Sequence, residues 1–332
     1  MRTPTWLLLA AVTASISLPF SSPVITAAGA QNRYPSQPIH IILPNPPGGY
    51  YDRVTRVLGA YISQALGQPV VVENKTGGSG TIGAIQVARS SPNGYTLIVG
   101  SSGTFGIAPA MKTKLPYDPV KDFAPIALTT TLPSLLLVRS NSPYKTAGEL
   151  VAATQGKSMP TLYASNGIGS SSHLTMELFR MASGASLASV PYAGSAPAMI
   201  ALANGEIEVA FGNVQDALPF IKGGRVRALG VAGASRLDVM PDVPTLAEAG
   251  YPKVLASSWL GFSAPAGTSP TIINQLNAVI NKALLDPEVR KKLDPSGEVE
   301  ILGGTSVQYR EFLNAEIARW NSVVRAGNIQ KN

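Results

Sequence analysis

The chain has 332 residues, of which 45% are hydrophobic, 14% are charged and none is cysteine. The length allows two domains, and hydrophobic residues spread along the chain exclude an intrinsically disordered protein. The lack of cysteine excludes a disulfide scaffold and thiol chemistry. The formal net charge is +7, but its densest cluster, Arg290-Lys291-Lys292, has no interleaved aromatic residues. We therefore expect no nucleic-acid partner.

The first thirty residues have the form of a secretory signal peptide. Arg2 is followed by an apolar run that starts at Trp6 and continues to Phe20, and Ala28-Gly29-Ala30 offers a small-residue cleavage site. Thr, Ser and Pro interrupt the short apolar run, which argues against a permanent membrane span. We predict an exported protein that is cleaved near Ala30-Gln31.

The mature chain opens with a strand, a tight turn and a helix. The apolar run Ile39–Leu43 predicts a buried strand, Pro44–Tyr50 a turn, and Tyr51–Leu66 a helix that stops at Gly67. A helix N-terminus behind a glycine-containing turn presents free backbone N–H groups and a partial positive charge. This arrangement predicts a carboxylate-binding turn. The alternative is a βα connection that binds nothing.

Similar turns follow later predicted strands. They lie at Gly100–Thr104, Asn166–Ser172, Ala193–Pro197 and Gly212–Asp216. Strands that alternate with helices predict a parallel sheet covered on both faces, and ligands of such sheets sit at the carboxyl ends of the strands. If the two halves of the chain form two lobes, these turns face one another across a cleft.

Signals for catalysis are few. His173 follows Ser170–Ser172, and a serine nucleophile with this histidine as its base gives the alternative of a secreted serine hydrolase. The plainer interpretation is that His173 makes local hydrogen bonds in the first turn of a helix. Asp52 is expected to shape the opening turn. Neither Asp52 nor Asp216 has a neighbour at metal-ligand spacing, so no metal and no cofactor is predicted.

A series of short motifs occurs along the mature chain in a characteristic order. They are Pro46-Pro47-Gly48-Gly49 with Asp52, Leu66–Asn74, Pro92–Leu97, Leu115–Pro119, Val190–Tyr192, Arg225–Leu229, Pro241–Gly250 and Ala264–Thr268. Together they resemble the extracytoplasmic solute-binding proteins of tripartite tricarboxylate transporters, the Bug-type receptors. The resemblance implies an α/β fold of the two-lobed periplasmic binding protein (Venus flytrap) type. Each lobe is then a mainly parallel sheet flanked by helices, and two strands cross between the lobes.

The domain boundaries follow from this expectation. Residues 1–30 are the signal peptide, residues 31–138 and 258–332 form lobe 1, and residues 139–257 form lobe 2. The extended stretches Leu135–Ser140 and Ser257–Ala264 are the predicted crossings.

The predicted ligand-binding residues lie at the strand-end turns of both lobes. They are Pro46, Pro47, Gly48, Gly49, Tyr50, Ser101, Ser102, Thr104, Asn166, Gly169, Ser170, Ser171, His173, Tyr192, Gly194, Ser195, Ala196, Asn213 and Asp216. Neutral donors at these turns hold an anion without the desolvation cost of a buried Lys or Arg.

The resemblance also implies the ligand and the partner. We expect a periplasmic, monomeric receptor that captures a di- or tricarboxylate and delivers it to the permease subunits of a secondary transporter. Tyr50 and Tyr51 stand where small residues are usual in the family. Tyr50 at the pocket mouth can stack on an aromatic acid of the phthalate type. The alternative is that both tyrosines pack on the flank of the helix. A receptor that signals through a membrane partner shares the same binding chemistry. The sequence does not distinguish these ligands or these two roles.

Overall fold

The computed structural model describes Met1 and residues 34–331. The predicted signal peptide and the cleavage site at Ala30-Gln31 lie, apart from Met1, outside the described residues. None of the helices in the described part of the chain combines the length and the apolar character that a membrane span requires.

Strands and helices alternate along most of the described chain. The strands are β1 (Ile39–Leu43), β2 (Val70–Asn74), β3 (Thr96–Ser101), β4 (Phe123–Arg139), β5 (Thr161–Ser165), β6 (Leu187–Pro191), β7 (Val209–Asn213), β8 (Val226–Val231), β9 (Ser257–Pro265) and β10 (Glu300–Ile301). The helices are α1 (Tyr50–Leu66), α2 (Thr81–Ala88), α3 (Ala108–Met111), α4 (Ala147–Thr154), α5 (Ser171–Ser183), α6 (Ser195–Asn204), α7 (Val214–Lys222), α8 (Pro270–Leu285), α9 (Pro287–Leu293) and α10 (Ser306–Ala326). A 3₁₀ turn at Gly78–Gly80 precedes α2, and a π-helical turn at Ser102–Ile107 precedes α3.

The first sheet is built around β1. Its strand order is β2-β1-β3-β9-β4, with β1 parallel to both β2 and β3, whereas β9 is antiparallel to its neighbours. Ile39, Ile41, Ile42 and Leu43 of β1 are fully buried, because helices cover both faces of this sheet. Helix α1 ends where Gly67 adopts a left-handed conformation (φ 69°), as its sequence predicts.

The second sheet repeats the pattern around β5. Strand β5 is parallel to β6 and β7, and β7 and β8 both pair antiparallel with β4. The strands β1 and β3 are parallel, so their carboxyl ends lie at the same edge of the first sheet. The ends of β5 and β7 lie together in the second sheet for the same reason.

The two sheets are joined by β4. Its first part, to Pro133, pairs with β9, and its last part, from Ser134, pairs with β7 and β8. The sequence predicts two short strands here, Ala124–Leu128 and Ser134–Val138, but the structure contains one strand of 17 residues. Pro125, which cannot donate a backbone hydrogen bond, lies at a shift of register where this loss is tolerated.

A second crossing lies just before β9. The Ser134 N–H donates to the Ala256 carbonyl (3.0 Å), and the Ala256 N–H donates to the Ala232 carbonyl (2.8 Å). The predicted two-lobed α/β fold is thus confirmed, although the crossing strands are antiparallel and make both sheets mixed. The pairing of β4 changes at Pro133–Ser134, earlier than the predicted boundary at 138/139. The exact lobe boundaries stay a prediction.

Candidate ligand-binding site

A cavity of about 620 Å³ lies where strand-end turns of both sheets meet. The turns after β1 and β3 line it from lobe 1, and the turns after β5 and β7 line it from lobe 2. The lining residues are Pro44, Asn45, Pro46, Tyr51, Thr76, Gly77, Gly80, Ser101, Ser102, Gly103, Thr104, Ile107, Ala108, Met111, Lys112, Asn166, Ile168, Gly169, Ser170, Ser171, Asn213 and Ser258. The cavity therefore has many neutral polar groups and few charges.

The turn after β1 is held in place by Asp52. The Gly48 N–H donates to Asp52 Oδ2 (3.1 Å), and Gly48 adopts a left-handed conformation (φ 85°) that favours glycine. Arg56 forms an ion pair with the same carboxylate (3.0 Å), and Asn74 Nδ2 donates both to Asp52 Oδ1 and to the Asn45 carbonyl (3.0 Å each). Asp52 thus shapes the turn, as the sequence predicts, and does not line the cavity.

The electrostatics of Asp52 follow from these contacts. Burial favours the protonated acid, but hydrogen bonds from Arg56, Asn74 and Gly48 outweigh it and lower the pKa of Asp52 to about 2. The carboxylate is therefore ionised at neutral pH. Its charge is balanced by Arg56, so it does not oppose an anion in the cavity.

Asn45 adds an unsatisfied polar group to this side of the cavity. Its Oδ1 atom is buried and has no hydrogen-bond partner among the described residues. A buried amide of this kind requires a partner. A water molecule would satisfy Oδ1, and a rotated amide would present Nδ2 to an anion at the same place.

The turn after β3 is rigid and closely packed. Ser101 Oγ accepts from the Thr104 N–H (3.3 Å), and Thr104 Oγ1 accepts from the Ser101 N–H (3.1 Å), which forms a capping box. Gly80 packs against it: a Cβ at Gly80 would lie 2.3 Å from Thr104 Cγ2 and 3.0 Å from Pro44 Cβ. The glycine-rich loop after β2 therefore closes on the same edge of the sheet.

Of the two tyrosines at the start of α1, Tyr51 lines the cavity and Tyr50 does not. The placement of Tyr50 at the pocket mouth is wrong: its side chain is only 5% exposed, and its hydroxyl is hydrogen-bonded to Thr130 Oγ1 (2.8 Å). Tyr51 lines the cavity instead, with its hydroxyl 3.1 Å from Ser102 Oγ. Successive helical residues are about 100° apart around the axis, so a one-residue error turns the side chain to another face. Burial raises the pKa of both phenols, which stay protonated.

On lobe 2, neutral groups hold the turn after β5. Ser170 caps α5 by accepting from the His173 N–H (3.3 Å), and His173 Nδ1 accepts from the Gly169 N–H (3.0 Å). Nδ1 is an acceptor only in the neutral imidazole, and burial lowers the pKa of His173 in agreement with this state. Gly169 has φ 74°, and a Cβ there would lie 2.5 Å from Met111 Cε.

This geometry does not support the serine hydrolase alternative. The hydrogen bond between Ser170 and His173 is donated by the histidine backbone N–H and not by its ring. The Nδ1 atom of the ring already accepts a hydrogen bond from the Gly169 N–H. No imidazole–hydroxyl bond that would activate Ser170 is present among the described residues. Within the same part of the chain, no group of three His, Cys, Asp or Glu residues is arranged to hold a metal ion.

The turn after β7 contributes Asn213. Ser258 Oγ, at the start of β9, donates to Asn213 Oδ1 (3.1 Å), and both residues line the cavity. Asp216 lies further along the first turn of α7 and is not part of the lining.

The structure divides the predicted site residues into two groups. Those that line the cavity are Pro46, Ser101, Ser102, Thr104, Asn166, Gly169, Ser170, Ser171 and Asn213. Those that do not are Pro47, Gly48, Gly49, Tyr50, His173, Tyr192, Gly194, Ser195, Ala196 and Asp216. For the residues near α6 the reason is topological, because β6 is the edge strand of its sheet and its end lies beside the β5 turn rather than at the centre of the site. Direct contact with a ligand stays a prediction for the first group.

Several lining residues were missed by sequence reasoning. The loop Thr76–Gly80 is one of them; it follows β2, which is parallel to β1 and ends at the same edge of the sheet. That topology was the available signal. Ile168 lies within the predicted turn Asn166–Ser172, whereas Tyr51, Met111, Lys112 and Ser258 had no motif that pointed to the cavity.

The chain was compared with known proteins. The sequence model of the family described as "Tripartite tricarboxylate transporter family receptor" matches residues 54–329. Protein BugT of Bordetella pertussis is 36% identical over 302 residues, which cover 91% of this chain and 92% of that protein.

Solved structures of solute receptors are also similar to this chain. The R. palustris protein Rpa4515 with adipate is 32% identical, with a TM-score of 0.76, over 90% of this chain and 100% of that chain. MatC (Rpa3494) from Rhodopseudomonas palustris with bound malate is 36% identical, with a TM-score of 0.71, over 88% of this chain and 100% of that chain. These similarities identify a solute-binding receptor and not an enzyme. The chain belongs to the receptor family of the tripartite tricarboxylate transporters.

Proposed function

We propose that the protein is a periplasmic receptor that captures a small di- or tricarboxylate between its lobes and delivers it to a membrane permease. The observation that carries the proposal is the cavity lined from both lobes by strand-end turns. These turns present neutral groups, among them Tyr51, Ser102, Ser170 and Ser171, to the same space. No acidic residue belongs to the lining.

The chemistry of the lining favours a carboxylate. Hydroxyl and backbone N–H groups donate to an anion, and the start of α5 adds the positive end of a helix dipole. Apolar residues, including Ile107 and Met111, line the same cavity and suit a carbon chain. The adipate and malate bound by two related receptors are acids of this type.

Thermal unfolding of the purified protein tests the carboxylate ligand. A ligand that binds only the folded state stabilises it by about 2.7 kcal/mol at 100 times its Kd. We expect adipate, malate, citrate or phthalate to raise the melting temperature by several degrees, and the corresponding amides to leave it unchanged. An acid panel without any rise, or equal rises with the amides, contradicts the proposal.

Export and delivery have separate tests. We expect the periplasmic form to begin at Gln31 and its mass to show the loss of residues 1–30. We also expect the acid-loaded receptor to co-purify with a membrane permease. Co-purification with a sensor kinase and no permease would instead identify the receptor as part of a signalling system.

A further inference from the structure

Lys112 is the only charged residue among the described residues that line the cavity. It follows α3 and is half-buried. It also lines an adjoining surface groove, so it stands at the border between the cavity and the outside.

Among the described residues, the ammonium group of Lys112 has no acidic partner. Its Nζ donates to the Gly78 carbonyl at 3.3 Å and to Thr81 Oγ1 at 3.4 Å, and both bonds are longer than the usual value of about 2.9 Å. Within residues 34–331, no carboxylate oxygen lies within 4.0 Å of Nζ. Weak bonds to neutral oxygens are easily exchanged for a bond to an anion.

The two acidic residues that line the surface groove, Asp118 and Asp122, already accept hydrogen bonds from other groups. The Asp118 carboxylate accepts from the Val120 and Lys121 N–H groups and forms an ion pair with Lys121 (3.7 Å). Asp122 Oδ2 accepts from the Asp118 N–H (2.7 Å). These contacts leave the charge of Lys112 available to the cavity.

The rest of the lining provides for one anion and for a carbon chain. The turns of the two lobes offer neutral donors, and Pro46, Ile107, Met111 and Ile168 add apolar surface to the same cavity. A second carboxylate in this cavity loses water and requires a positive partner. We infer that Lys112 binds the second acid group of the ligand and makes the receptor selective for dicarboxylates over monocarboxylates.

This inference rests on the proposed carboxylate receptor and adds to it a residue that determines specificity. Lysine suits the role because its ammonium group is a compact point charge on a flexible stem, which can follow diacids of different length. The neutral turns then bind one end of the ligand, and Lys112 favours ligands whose other end is negatively charged.

Titration calorimetry with matched acids tests the role of Lys112. The pairs are hexanoate with adipate and pentanoate with glutarate, which differ only in the second carboxylate. We expect the unchanged protein to bind each diacid at least tenfold more tightly than its partner. In Lys112→Gln the diacid affinity falls about tenfold, and the monoacid affinity changes less than twofold.

Two variants serve as controls. Lys112→Arg keeps the charge and is expected to keep the preference for diacids. Lys114→Gln removes the same charge two positions away, at an exposed residue outside the lining, and is expected to change neither affinity. Lys112→Met repeats the test with an apolar chain of similar length, should Lys112→Gln be unstable.

The outcomes separate the inference from the function. If diacids and monoacids bind equally to the unchanged protein, or if Lys112→Gln and Lys112→Met keep the preference, the inference is wrong and the carboxylate receptor stands. If no acid binds to the unchanged protein, the proposed function itself fails. An equal loss in Lys114→Gln reduces the effect to net charge and also overturns the inference.

Discussion

The turns after β1 and β5 are both strand–turn–helix connections, but different side chains stabilise them. Each follows a strand whose last three residues are buried, contains a glycine with positive φ and leads into a helix. The β1 turn is held by an ionised network of Asp52, Arg56 and Asn74, whereas the β5 turn is held by Ser170 and a neutral His173.

The difference shows how charge is kept out of an anion site. On lobe 1 the negative charge of Asp52 is needed to fix the turn, and Arg56 balances it behind the lining. On lobe 2 the described hydrogen bonds of the turn involve no carboxylate, and burial lowers the pKa of His173, which favours the uncharged imidazole. Both solutions leave neutral donors facing the cavity, so an anion meets no repulsion from either side.

The largest effect is expected when the ionic support of the β1 turn is removed. Asp52→Ala loses the bonds to Gly48, Arg56 and Asn74 and is expected to lower the free energy of unfolding by about 2 kcal/mol, measured by urea unfolding at pH 7. Arg56 is half exposed, so solvent limits this loss. Asp216→Asn, outside the lining, is the control and is expected to cost less than about 0.5 kcal/mol.

The same carboxylate predicts an acid dependence. Because its folded pKa is about 2 and its ordinary value is 3.8, the stabilisation by Asp52 is complete above about pH 5 and is lost as the pH falls towards 2. Between pH 5 and pH 2 the unchanged protein is expected to lose about 2 kcal/mol more than Asp52→Asn. Parallel curves for the two proteins would contradict this support of the turn.

Alanine at the two turn glycines is expected to have a smaller effect. Gly169→Ala imposes a left-handed alanine and displaces Met111, which together cost about 1–2 kcal/mol of unfolding free energy. Gly48→Ala has the same kind of backbone strain but open space around its Cβ, so about 1 kcal/mol is expected. Equal losses in thermal unfolding would show that the contact with Met111 does not constrain the β5 turn.

The two tyrosines separate stability from binding. Tyr50→Phe loses the bond to Thr130 and is expected to cost about 1 kcal/mol of unfolding free energy without change in acid affinity. Tyr51→Phe removes a hydroxyl from the cavity and is expected to weaken acid binding about threefold to tenfold. A larger loss of affinity in Tyr50→Phe than in Tyr51→Phe would restore the expectation drawn from the sequence.

The smallest effect is expected from His173. Burial holds its pKa below the ordinary value of 6.5, so its stabilisation is complete above about pH 6.5 and is lost as the pH falls below that value. In His173→Gln this part of the pH dependence of unfolding disappears. His40→Gln, at an exposed position beside Glu73, is the control and keeps it. An unchanged pH profile in His173→Gln would exclude a neutral imidazole as the support of the β5 turn.

The sequence predicts the turns better than the side chains that line them. Pro46, Ser101–Thr104 and Gly169–Ser171 follow buried strands, and strand ends were enough to find them. Tyr50 was placed at the pocket instead of Tyr51 because both follow Gly48-Gly49, and only the helix phase decides which side chain faces the cavity. Lys112 was missed because α3 follows a π-helical turn that no local pattern indicates. The single long strand β4 was missed because Pro133, directly before the second predicted strand, is typical of a break, although the pairing of β4 with β9 continues to Pro133.

The most direct test of the account is calorimetric titration of one acid into variants of the two opposing turns. Tyr51→Phe changes the lobe 1 side of the cavity, and Ser171→Ala changes the lobe 2 side. The account predicts that each variant weakens the acid that raises the melting temperature of the unchanged protein, because one ligand touches both lobes. Unchanged affinity in both variants, with binding retained in the unchanged protein, would place the ligand elsewhere and contradict the account.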